Sequence, residues 1–235
     1  MLLGASFCVL PNSLLGNKRK NTFFFVFRSL IRTFAGRKRK KMNVAVVKYN
    51  AGNIYSVIHA LQRLGVNPIL TDNPEQLQKA DKVLFPGQGE ASNAMCYLKE
   101  HGLDKVIKNL RNPILGICIG QQLMCRHSEE GDTECLGIFD AEVLRFQPQK
   151  HEDKVPHMGW NVIQSTTTDD TLNNAFVYFV HSFYVPVCEF TTAVTDYIVP
   201  FSAALHRDNF YATQFHPEKS GAVGEEILRR FLVNP

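Results

Sequence analysis

The feature that most constrains this chain is a short apolar run that ends in a cysteine between two glycines. Residues 113–117, Pro-Ile-Leu-Gly-Ile, lead to Cys118, which Gly116 and Gly120 flank, and an amphipathic segment follows from Gln121. This Gly-x-Cys-x-Gly pattern is the thiol counterpart of the Gly-x-Ser-x-Gly elbow, a sharp strand-to-helix turn that presents a nucleophile. A side chain at either glycine would collide where strand and helix approach closely. The pattern therefore predicts that a buried strand turns into a helix at Cys118 and that this helix continues to about Ser128.

A cysteine in this position is a candidate nucleophile. Backbone N–H groups and the helix dipole at a helix N-terminus favour thiolate over thiol. A thiolate mechanism needs a proton carrier, and His216 is the leading candidate. Glu218, two residues on, would point the same way along an extended backbone and orient the imidazole. Cysteine on an apolar strand is also an ordinary small hydrophobe, so the catalytic interpretation depends on the three residues together.

Apolar and amphipathic segments alternate along the first half of the body. Strands are predicted over residues 44–47, 68–71, 82–85 and 113–117, and helices over residues 56–64, 74–80, 91–100 and 103–110. This alternation predicts an α/β fold with a mostly parallel twisted sheet flanked by helices. The second half is rich in strands, predicted over residues 138–146, 160–163, 175–185, 192–199, 201–206 and 210–215, before a helix over 223–233. Ligands bind at the carboxyl ends of such parallel strands, where Cys118 and residues 86–89 lie.

Charge is distributed unevenly along the chain. Residues 1–42 carry ten of the 26 lysine and arginine side chains and no acid, which leaves 16 basic against 22 acidic side chains in the remainder. A mildly acidic body argues against nucleic acid as a partner. The apolar runs within residues 1–41 are shorter than the ~18–20 residues that span a bilayer, so no membrane association is expected.

These observations predict two regions, a basic and disordered N-terminal extension over residues 1–41 and a single domain over residues 42–235. The extension has two interpretations. Translation starts at Met42 and the upstream residues are an incorrectly assigned start, or the basic, acid-free segment targets the protein to an organelle. Location is accordingly predicted as cytoplasmic, or organellar if the extension is a genuine transit segment.

Cysteine spacing excludes several kinds of site. The six cysteines show no paired disulfide pattern and no Cys-x-x-Cys, which favours a reducing compartment. Cys118, Cys125, His127 and Cys135 do not lie at zinc-ligand spacing, so no metal site is predicted. The sequence also lacks a Walker A loop and a dinucleotide fingerprint, and no cofactor is expected.

Five further segments, each five or six residues long, point to one family. They are Lys-Tyr-Asn-Ala-Gly-Asn at 48–53, Phe-Pro-Gly-Gln-Gly at 85–89, Pro-His-Met-Gly-Trp-Asn at 156–161, Tyr-Phe-Val-His-Ser-Phe at 178–183 and His-Pro-Glu-Lys-Ser at 216–220. With the elbow, they make the chain resemble the class I (triad) glutamine amidotransferases, and among these the glutaminase subunits of imidazole glycerol phosphate synthase. The resemblance runs from about Met42 to the C-terminus. It implies a single amidotransferase domain that hydrolyses glutamine to glutamate and ammonia for histidine biosynthesis, with a Cys-His-Glu triad.

Oxyanion stabilisation is expected from two backbone segments. One donor is the N–H of Ile119, directly after the nucleophile. The resemblance places the second donor in the loop of Gly87, Gln88 and Gly89. It also implies that the peptides of this loop reorient when the enzyme is activated. A single donor of this kind contributes ~3–4 kcal/mol to the transition state. The family commonly has valine at the position of Gln88, so the effect of this glutamine on the loop stays open.

The resemblance also implies a set of residues that recognise the substrate glutamine. These are Gly89, Gln122, His181, Ser182 and Phe183. Relatives commonly have tyrosine at the position of Phe183, so any contact made by that hydroxyl is absent from this chain. Taken without the resemblance, residues 178–184 are equally typical of a buried aromatic strand.

Hydrolysis of glutamine yields ammonia, and no segment of residues 43–235 is typical of an acceptor-binding domain. The resemblance implies a heterodimer with a separate (β/α)₈ cyclase subunit that receives the ammonia through an internal channel. Asn53, Trp160 and Lys219 are the expected interface residues. Core or rim packing for Trp160 and simple solvation for Lys219 are the alternatives to these roles.

Other functions are compatible with the same chemistry. One is a paralogue that supplies ammonia to a related barrel for modification of a surface sugar. Another is a stand-alone cysteine amidohydrolase, which would turn over without a partner. A non-enzymatic binding subunit is disfavoured because Cys118, His216 and Glu218 are all present.

Overall fold

In the computed structural model of the chain, residues 42–50, 52, 54–167 and 173–233 are described. They form thirteen strands and six α-helices. In chain order these are β1 (Val44–Val47), α1 (Ile54–Arg63), β2 (Ile69–Thr71), α2 (Pro74–Lys79), β3 (Lys82–Phe85), α3 (Ala91–Glu100), α4 (Leu103–Lys108), β4 (Ile114–Ile117), α5 (Ile119–Met124), β5 (His127–Ser128), β6 (Thr133–Glu134), β7 (Glu142–Arg145), β8 (His157–Ser165), β9 (Ala175–His181), β10 (Phe183–Tyr184), β11 (Thr191–Asp196), β12 (Pro200–Arg207), β13 (Phe210–Thr213) and α6 (Gly221–Val233). The expectations for residues 1–41 and for Asn53 lie outside the described residues.

A nine-stranded sheet organises the domain, with strand order β2-β1-β3-β4-β13-β12-β11-β8-β9. The strands from β2 to β13 pair in parallel, whereas those from β13 to β9 pair in antiparallel fashion. The predicted α/β class is thereby confirmed, with the strand-rich second half supplying the antiparallel part. β13 lies beside β4, in a register that pairs Thr213 with Ile117. The segment that contains His216 and Glu218 therefore begins next to Cys118.

Helices cover both faces of the parallel strands because side chains in a strand alternate between faces. In β3, Val83 and Phe85 pack in one apolar cluster with residues of α3, α4 and α5. Leu84 points the other way, into a cluster with Leu61 of α1 and Leu228 of α6. β1, β3 and β4 are buried along their whole length, as expected for central parallel strands. Within the described residues no helix is long and apolar enough to cross a membrane.

The region after the elbow differs from the sequence prediction. A helix was expected to continue to about Ser128, but α5 ends at Met124 and Cys125 is extended, with φ −72° and ψ −179°. The chain then forms the β5–β6 hairpin, which turns at Gly131 and Asp132, both with positive φ. The predicted strand over residues 138–146 contracts to β7, which pairs with β5 and β10 in a second, four-stranded sheet.

The strand predicted over residues 175–185 is two strands. β9 ends at His181 and pairs with β8 in the large sheet. After Ser182, β10 pairs with β7 in the small sheet, so the chain crosses from one sheet to the other. Alternation of side chains cannot reveal such a break, since apolar and polar residues continue in the same rhythm on both sides of it.

Candidate active site

Cys118 occupies a strained turn between β4 and α5. Its φ of 54° and ψ of −106° lie outside the regions that non-glycine residues ordinarily adopt. A methyl group on Gly120 would come within 2.0 Å of the Phe85 carbonyl oxygen, and one on Gly116 within 2.9 Å of the Gly120 backbone. The Cys118 N–H donates to the Thr213 carbonyl over 2.7 Å, which fixes the turn to β13. The elbow predicted from the glycine spacing is therefore formed.

His216 and Glu218 follow β13 and form a buried pair. The His216 Nδ1–H donates to Glu218 Oε1 over 2.7 Å, and both side chains are almost fully buried. Their geometry differs from the extended arrangement expected from the sequence. His216 is extended, but Pro217–Lys219 forms one turn of 3₁₀-helix that returns the carboxylate to the imidazole. Ser220 closes the turn by donating its hydroxyl to the His216 carbonyl over 2.7 Å.

The charge of Cys118 acts on the same imidazole. Burial alone would lower the pKa of His216, but the negative charge and hydrogen bonding of Cys118, together with those of Glu218, raise it to about 10. The Nε2 atom is buried and makes no hydrogen bond to the described part of the chain in this structure. Cys118, His216 and Glu218 are thus arranged in series, as expected for a thiolate beside an imidazolium held by a carboxylate.

The side-chain amides of two glutamines form a hydrogen-bonded chain that ends at the cysteine. Gln122 donates its Nε2 hydrogens to the Gln214 side-chain oxygen over 3.1 Å and to the Phe183 carbonyl over 2.9 Å. Gln214 in turn points its own Nε2 at Cys118 Sγ, 3.8 Å away. The sequence did not identify Gln214 as a site residue, although a fully buried glutamine at the end of an apolar strand is a signal for one.

The loop after β3 lies against the elbow. The Gly52 N–H donates to the Gln88 carbonyl over 2.8 Å, which fixes the orientation of the Gln88–Gly89 peptide in this structure. Gly89 has a φ of 149°, which only glycine adopts readily. Gly87 has no room for a side chain, because a methyl group there would approach Ile119 Cγ2 within 2.7 Å. The predicted oxyanion residues are therefore neighbours of one another and of Cys118.

A cavity of about 330 Å³ opens above Cys118. It is large enough for an amino acid and lies at the carboxyl ends of the parallel strands. The residues expected to bind substrate all line it. Its walls are Gln88, Gly89, Cys118, Ile119, Gln122, Glu130, Pro156, Val180, His181, Ser182 and Phe183.

Glu130 is an acidic residue of this cavity that the sequence did not identify. It is half-buried, its Oε2 accepts the Ala91 N–H over 2.9 Å, and burial raises the pKa of its carboxyl group. Glu130 reaches the cavity because the β5–β6 hairpin folds back over α3. The Glu-Glu-Gly-Asp sequence at 129–132 was a signal for a turn.

Known proteins with similar sequences place the chain in a family. A model of the family "Glutamine amidotransferase class-I" matches residues 45–235. The imidazole glycerol phosphate synthase subunit HisH of Bacteroides thetaiotaomicron is 68% identical over 194 residues, which cover 81% of this chain and 99% of the relative. The chain belongs to the class-I glutamine amidotransferase family. The HisH subunit of Idiomarina loihiensis is 42% identical over 193 residues, covering 81% of this chain and 97% of that protein.

The fold agrees with this assignment. The crystal structure of a glutamine amidotransferase that is 18% identical superposes with a TM-score of 0.62 over 80% of this chain and 96% of the other. Membership of the class-I amidotransferases confirms the glutamine-hydrolysing enzyme expected from the sequence. The resemblance to the glutaminase subunits of imidazole glycerol phosphate synthase is confirmed as well, since both curated relatives carry that enzyme's name.

Behind the cavity of this amidotransferase, two histidines form a directional chain of hydrogen bonds. His181 Nδ1–H donates to the Phe183 carbonyl over 2.7 Å, so its Nε2 is the acceptor of a 3.1 Å bond from His157 Nδ1. The Asn161 side chain closes the series, with Nδ2 3.4 Å from His157 Nε2. Burial lowers the pKa of His157 to about 4 and that of His181 to about 3. Both rings are neutral at pH 7, and a further proton on either would set two donors against each other.

This chain of histidines predicts acid sensitivity. Both pKa values lie below the ordinary value of about 6.5, so the unfolded chain binds more protons between pH ~6.5 and 4. The free energy of unfolding should therefore fall as the pH falls through this range, and His157→Gln should reduce the loss by roughly half. Urea denaturation at pH 7 and pH 4.5 measures both quantities. An unchanged pH dependence in this variant, compared with His206→Gln at an exposed histidine, would contradict the prediction.

Two of the three expected interface residues are described, and they are neighbours. Lys219 holds its ammonium group 5.9 Å from the centre of the Tyr178 ring, and Trp160 contacts the same ring edge-on at 6.0 Å. Trp160 is 56% exposed and Met158 is 67% exposed, so Trp160 is not a core residue, whereas its contact with Tyr178 is compatible with rim packing. With Phe176, which is also exposed, they form an exposed stripe (Met158, Trp160, Phe176 and Tyr178) on the outer face of β8 and β9.

Proposed function

We propose that this chain is the glutaminase subunit of imidazole glycerol phosphate synthase, and that Cys118, His216 and Glu218 are its catalytic triad. One observation carries the proposal. A cysteine in a strained elbow lies near enough to a buried imidazole for its charge to raise the pKa of that ring, and the Nδ1 atom of the ring is bound to a buried carboxylate. The 68% identity to a HisH subunit, over 99% of that protein, supports the choice of this amidotransferase over others.

The triad would act in two half-reactions. The Cys118 thiolate attacks the side-chain carbonyl carbon of glutamine, and the carbonyl oxygen becomes an oxyanion. The His216 imidazolium gives its Nε2 proton to the departing nitrogen, which releases ammonia and leaves a thioester on Cys118. His216, now neutral, takes a proton from water, whose oxygen attacks the thioester and releases glutamate and the thiolate. Glu218 keeps the imidazole in the orientation that serves both steps.

The backbone supplies the oxyanion site in this proposal. The Ile119 N–H follows the nucleophile directly and lies at the start of α5. The N–H groups of the loop of Gly87, Gln88 and Gly89 complete the site, because this loop and Ile119 line the cavity from two sides of Cys118. The Gln88 side chain reaches the cavity where relatives carry an apolar residue, so it contributes a polar contact at the edge of the site.

The remaining cavity residues bind the ends of the substrate. Glu130 is an acidic side chain in the cavity wall, and its half-buried carboxylate suits the α-ammonium group of glutamine. The segment of His181, Ser182 and Phe183 faces it and receives the α-carboxylate through backbone N–H groups. Gln122 holds this segment in place, because both of its amide hydrogens are already used by Gln214 and the Phe183 carbonyl.

Ammonia made in the cavity passes to a (β/α)₈ cyclase subunit bound over the exposed stripe. An exposed apolar patch of this kind marks a protein interface. Val180, two residues beyond Tyr178 on β9 and paired with Met158, places its carbonyl 3.8 Å from Cys118 Sγ. The stripe therefore lies on the same strand that borders the active site. We assign Asn53, Trp160 and Lys219 to the interface and the complex to the cytoplasm.

The stripe yields a quantitative prediction. Trp160→Ala should weaken binding of the cyclase subunit by about 30-fold, because an exposed tryptophan at the centre of an interface contributes ~2 kcal/mol or more. Isothermal titration calorimetry with the purified cyclase measures the Kd. Ile69→Ala is the matched control, since Ile69 is exposed on β2 at the opposite edge of the nine-stranded sheet. Equal affinities for the two variants would contradict the assignment of this face.

The proposed function is tested by measuring glutamine turnover for the full chain in two states, alone and with the cyclase subunit and its ribonucleotide substrate. Low turnover alone and strong activation in the complex are the expected results. High turnover without a partner would instead support a stand-alone amidohydrolase. Turnover that only a sugar-modifying barrel activates would support the paralogue.

A further inference from the structure

Tyr49 carries a buried hydroxyl group to which the described residues offer no hydrogen-bond partner. The residue is 5% exposed and its ring packs against Phe85, with the ring centres 5.2 Å apart. Its Oη atom has no partner among the described residues. A buried hydroxyl without a hydrogen-bond partner makes the folded state less stable than a phenylalanine at the same position would. An unsatisfied buried group of this kind requires an explanation.

The hydroxyl lies against the loop proposed to form the oxyanion site. A methyl group built on Gly87 would come within 2.0 Å of Tyr49 Oη and within 2.7 Å of Ile119 Cγ2. Gly87 does not have a positive φ, so its backbone conformation does not require glycine. Glycine is required because the Tyr49 hydroxyl and the Ile119 side chain occupy the space where a Cβ would lie. The hydroxyl therefore lies directly beside Gly87, the first residue of the loop that the mechanism uses for oxyanion donors.

The state of the hydroxyl is also set by its surroundings. Burial, with a smaller contribution from the negative charge of Cys118, raises the pKa of Tyr49 far above its ordinary value. The group is therefore protonated and serves as a hydrogen-bond donor at every pH at which the enzyme works. No hydrogen bond joins it to Cys118 Sγ among the described contacts, so it does not act on the thiolate directly.

We infer that Tyr49 is a positioning residue, whose hydroxyl donates to a backbone carbonyl of the loop 87–89 when the oxyanion forms. A peptide that turns its N–H towards the oxyanion turns its carbonyl to the opposite side, where that carbonyl needs a donor. In this structure the Gln88 carbonyl is bound by the Gly52 N–H, and the donor on Tyr49 is unused. The hydroxyl beside Gly87 is placed to serve the rearranged loop. This inference rests on the proposed glutaminase function.

Tyr49→Phe tests the inference in the complex of the full chain with the cyclase. We expect kcat for glutamine to fall about tenfold, the value of one hydrogen bond made only in the transition state, with KM changed less than twofold. The unfolding midpoint should stay equal or rise, because an unsatisfied hydroxyl is removed. Alkylation of Cys118 by iodoacetamide forms no oxyanion, so its rate should not change. Tyr211→Phe, at a tyrosine that packs on Phe231 away from the cavity, is the matched control.

Three results would overturn the inference. A wild-type kcat in Tyr49→Phe would show that the hydroxyl does nothing in turnover. A parallel fall in kcat and in the alkylation rate would show that it acts on the thiolate. A markedly lower unfolding midpoint would show that it is already bonded in the resting protein. If the wild-type complex itself releases no ammonia, the proposed glutaminase function fails first, and the role of Tyr49 fails with it.

Discussion

Cys118→Ala should reduce ammonia release from glutamine by 10⁴-fold or more, while the chain keeps its fold. Loss of the nucleophile removes the thioester route, and enzymes of the triad type retain only the small acceleration due to binding and the oxyanion site. Cys118 is buried and small, and alanine tolerates its φ of 54° no worse than cysteine does. Ammonia release in the activated complex and the thermal unfolding midpoint measure the two halves of this prediction.

Cys125→Ala is the matched control for this variant. Cys125 is also fully buried and lies at the other end of α5, where it belongs to an apolar cluster and its thiol donates to the Gln121 carbonyl over 3.5 Å. It should retain turnover within a few-fold of the wild type. Ammonia release that survives in Cys118→Ala would refute the elbow assignment, and an equal loss in both variants would point to a packing defect in α5.

An independent measurement comes from His216. The charge of Cys118 is the main reason that the pKa of His216 is raised to about 10. Removing the thiol should therefore lower this pKa, and NMR titration of the ring nitrogens detects the change without any substrate. For the wild type, a raised pKa means that the stabilising contribution of the charged ring is complete below pH ~6.5 and is lost as the pH rises through about 10.

Gly120→Ala should destabilise the domain by about 3 kcal/mol or more, a large effect for a single methyl group. Its Cβ would lie 2.0 Å from the carbonyl oxygen of Phe85, which is a backbone atom and cannot rotate away. Phe85 ends β3 and leads into the loop 87–89, so relief of the clash also displaces the oxyanion site. Urea denaturation measures the loss of stability, and turnover of the folded fraction measures the second effect.

Gly65→Ala separates this clash from a general glycine effect. Gly65 follows α1 with a φ of 80°, and open space surrounds the position of its Cβ. Alanine there should cost only ~1–2 kcal/mol, from backbone conformation alone. If Gly120→Ala proves no more costly than Gly65→Ala, strand and helix are not in rigid contact at the elbow.

The parts of the fold that the sequence predicted are those with short-range causes. The elbow follows from the spacing of Gly116 and Gly120, and the parallel half follows from alternating strand and helix patterns. His216 and Glu218 were identified from chemistry, but for a partly wrong geometric reason. An extended backbone was expected, whereas Pro217 fixes a φ that suits a 3₁₀ turn, and this turn brings the carboxylate back to the imidazole.

The parts that were missed depend on contacts between distant segments. Glu130 reaches the cavity because the β5–β6 hairpin folds over α3, 39 residues away from its partner Ala91. Gln214 matters because Gln122 lies beside it, 92 residues earlier in the chain. The Tyr49 hydroxyl gains significance only from its position against Gly87. None of these relations leaves a local periodic pattern, so no reading of local spacing could have found them.

The crossing of the chain from β9 to β10 at Ser182 has a consequence for regulation. Residues 181–183 are the only stretch of the described cavity wall that connects the large sheet to the small one in consecutive residues. The outer face of β9 carries the exposed stripe, and its inner face carries the His157–His181 chain. A protein that binds at Trp160 therefore contacts the β8–β9 hairpin, whose last residue, His181, lines the glutamine cavity. Partner binding and substrate recognition thus involve the same β-hairpin, so no further structural element is needed to couple the two events.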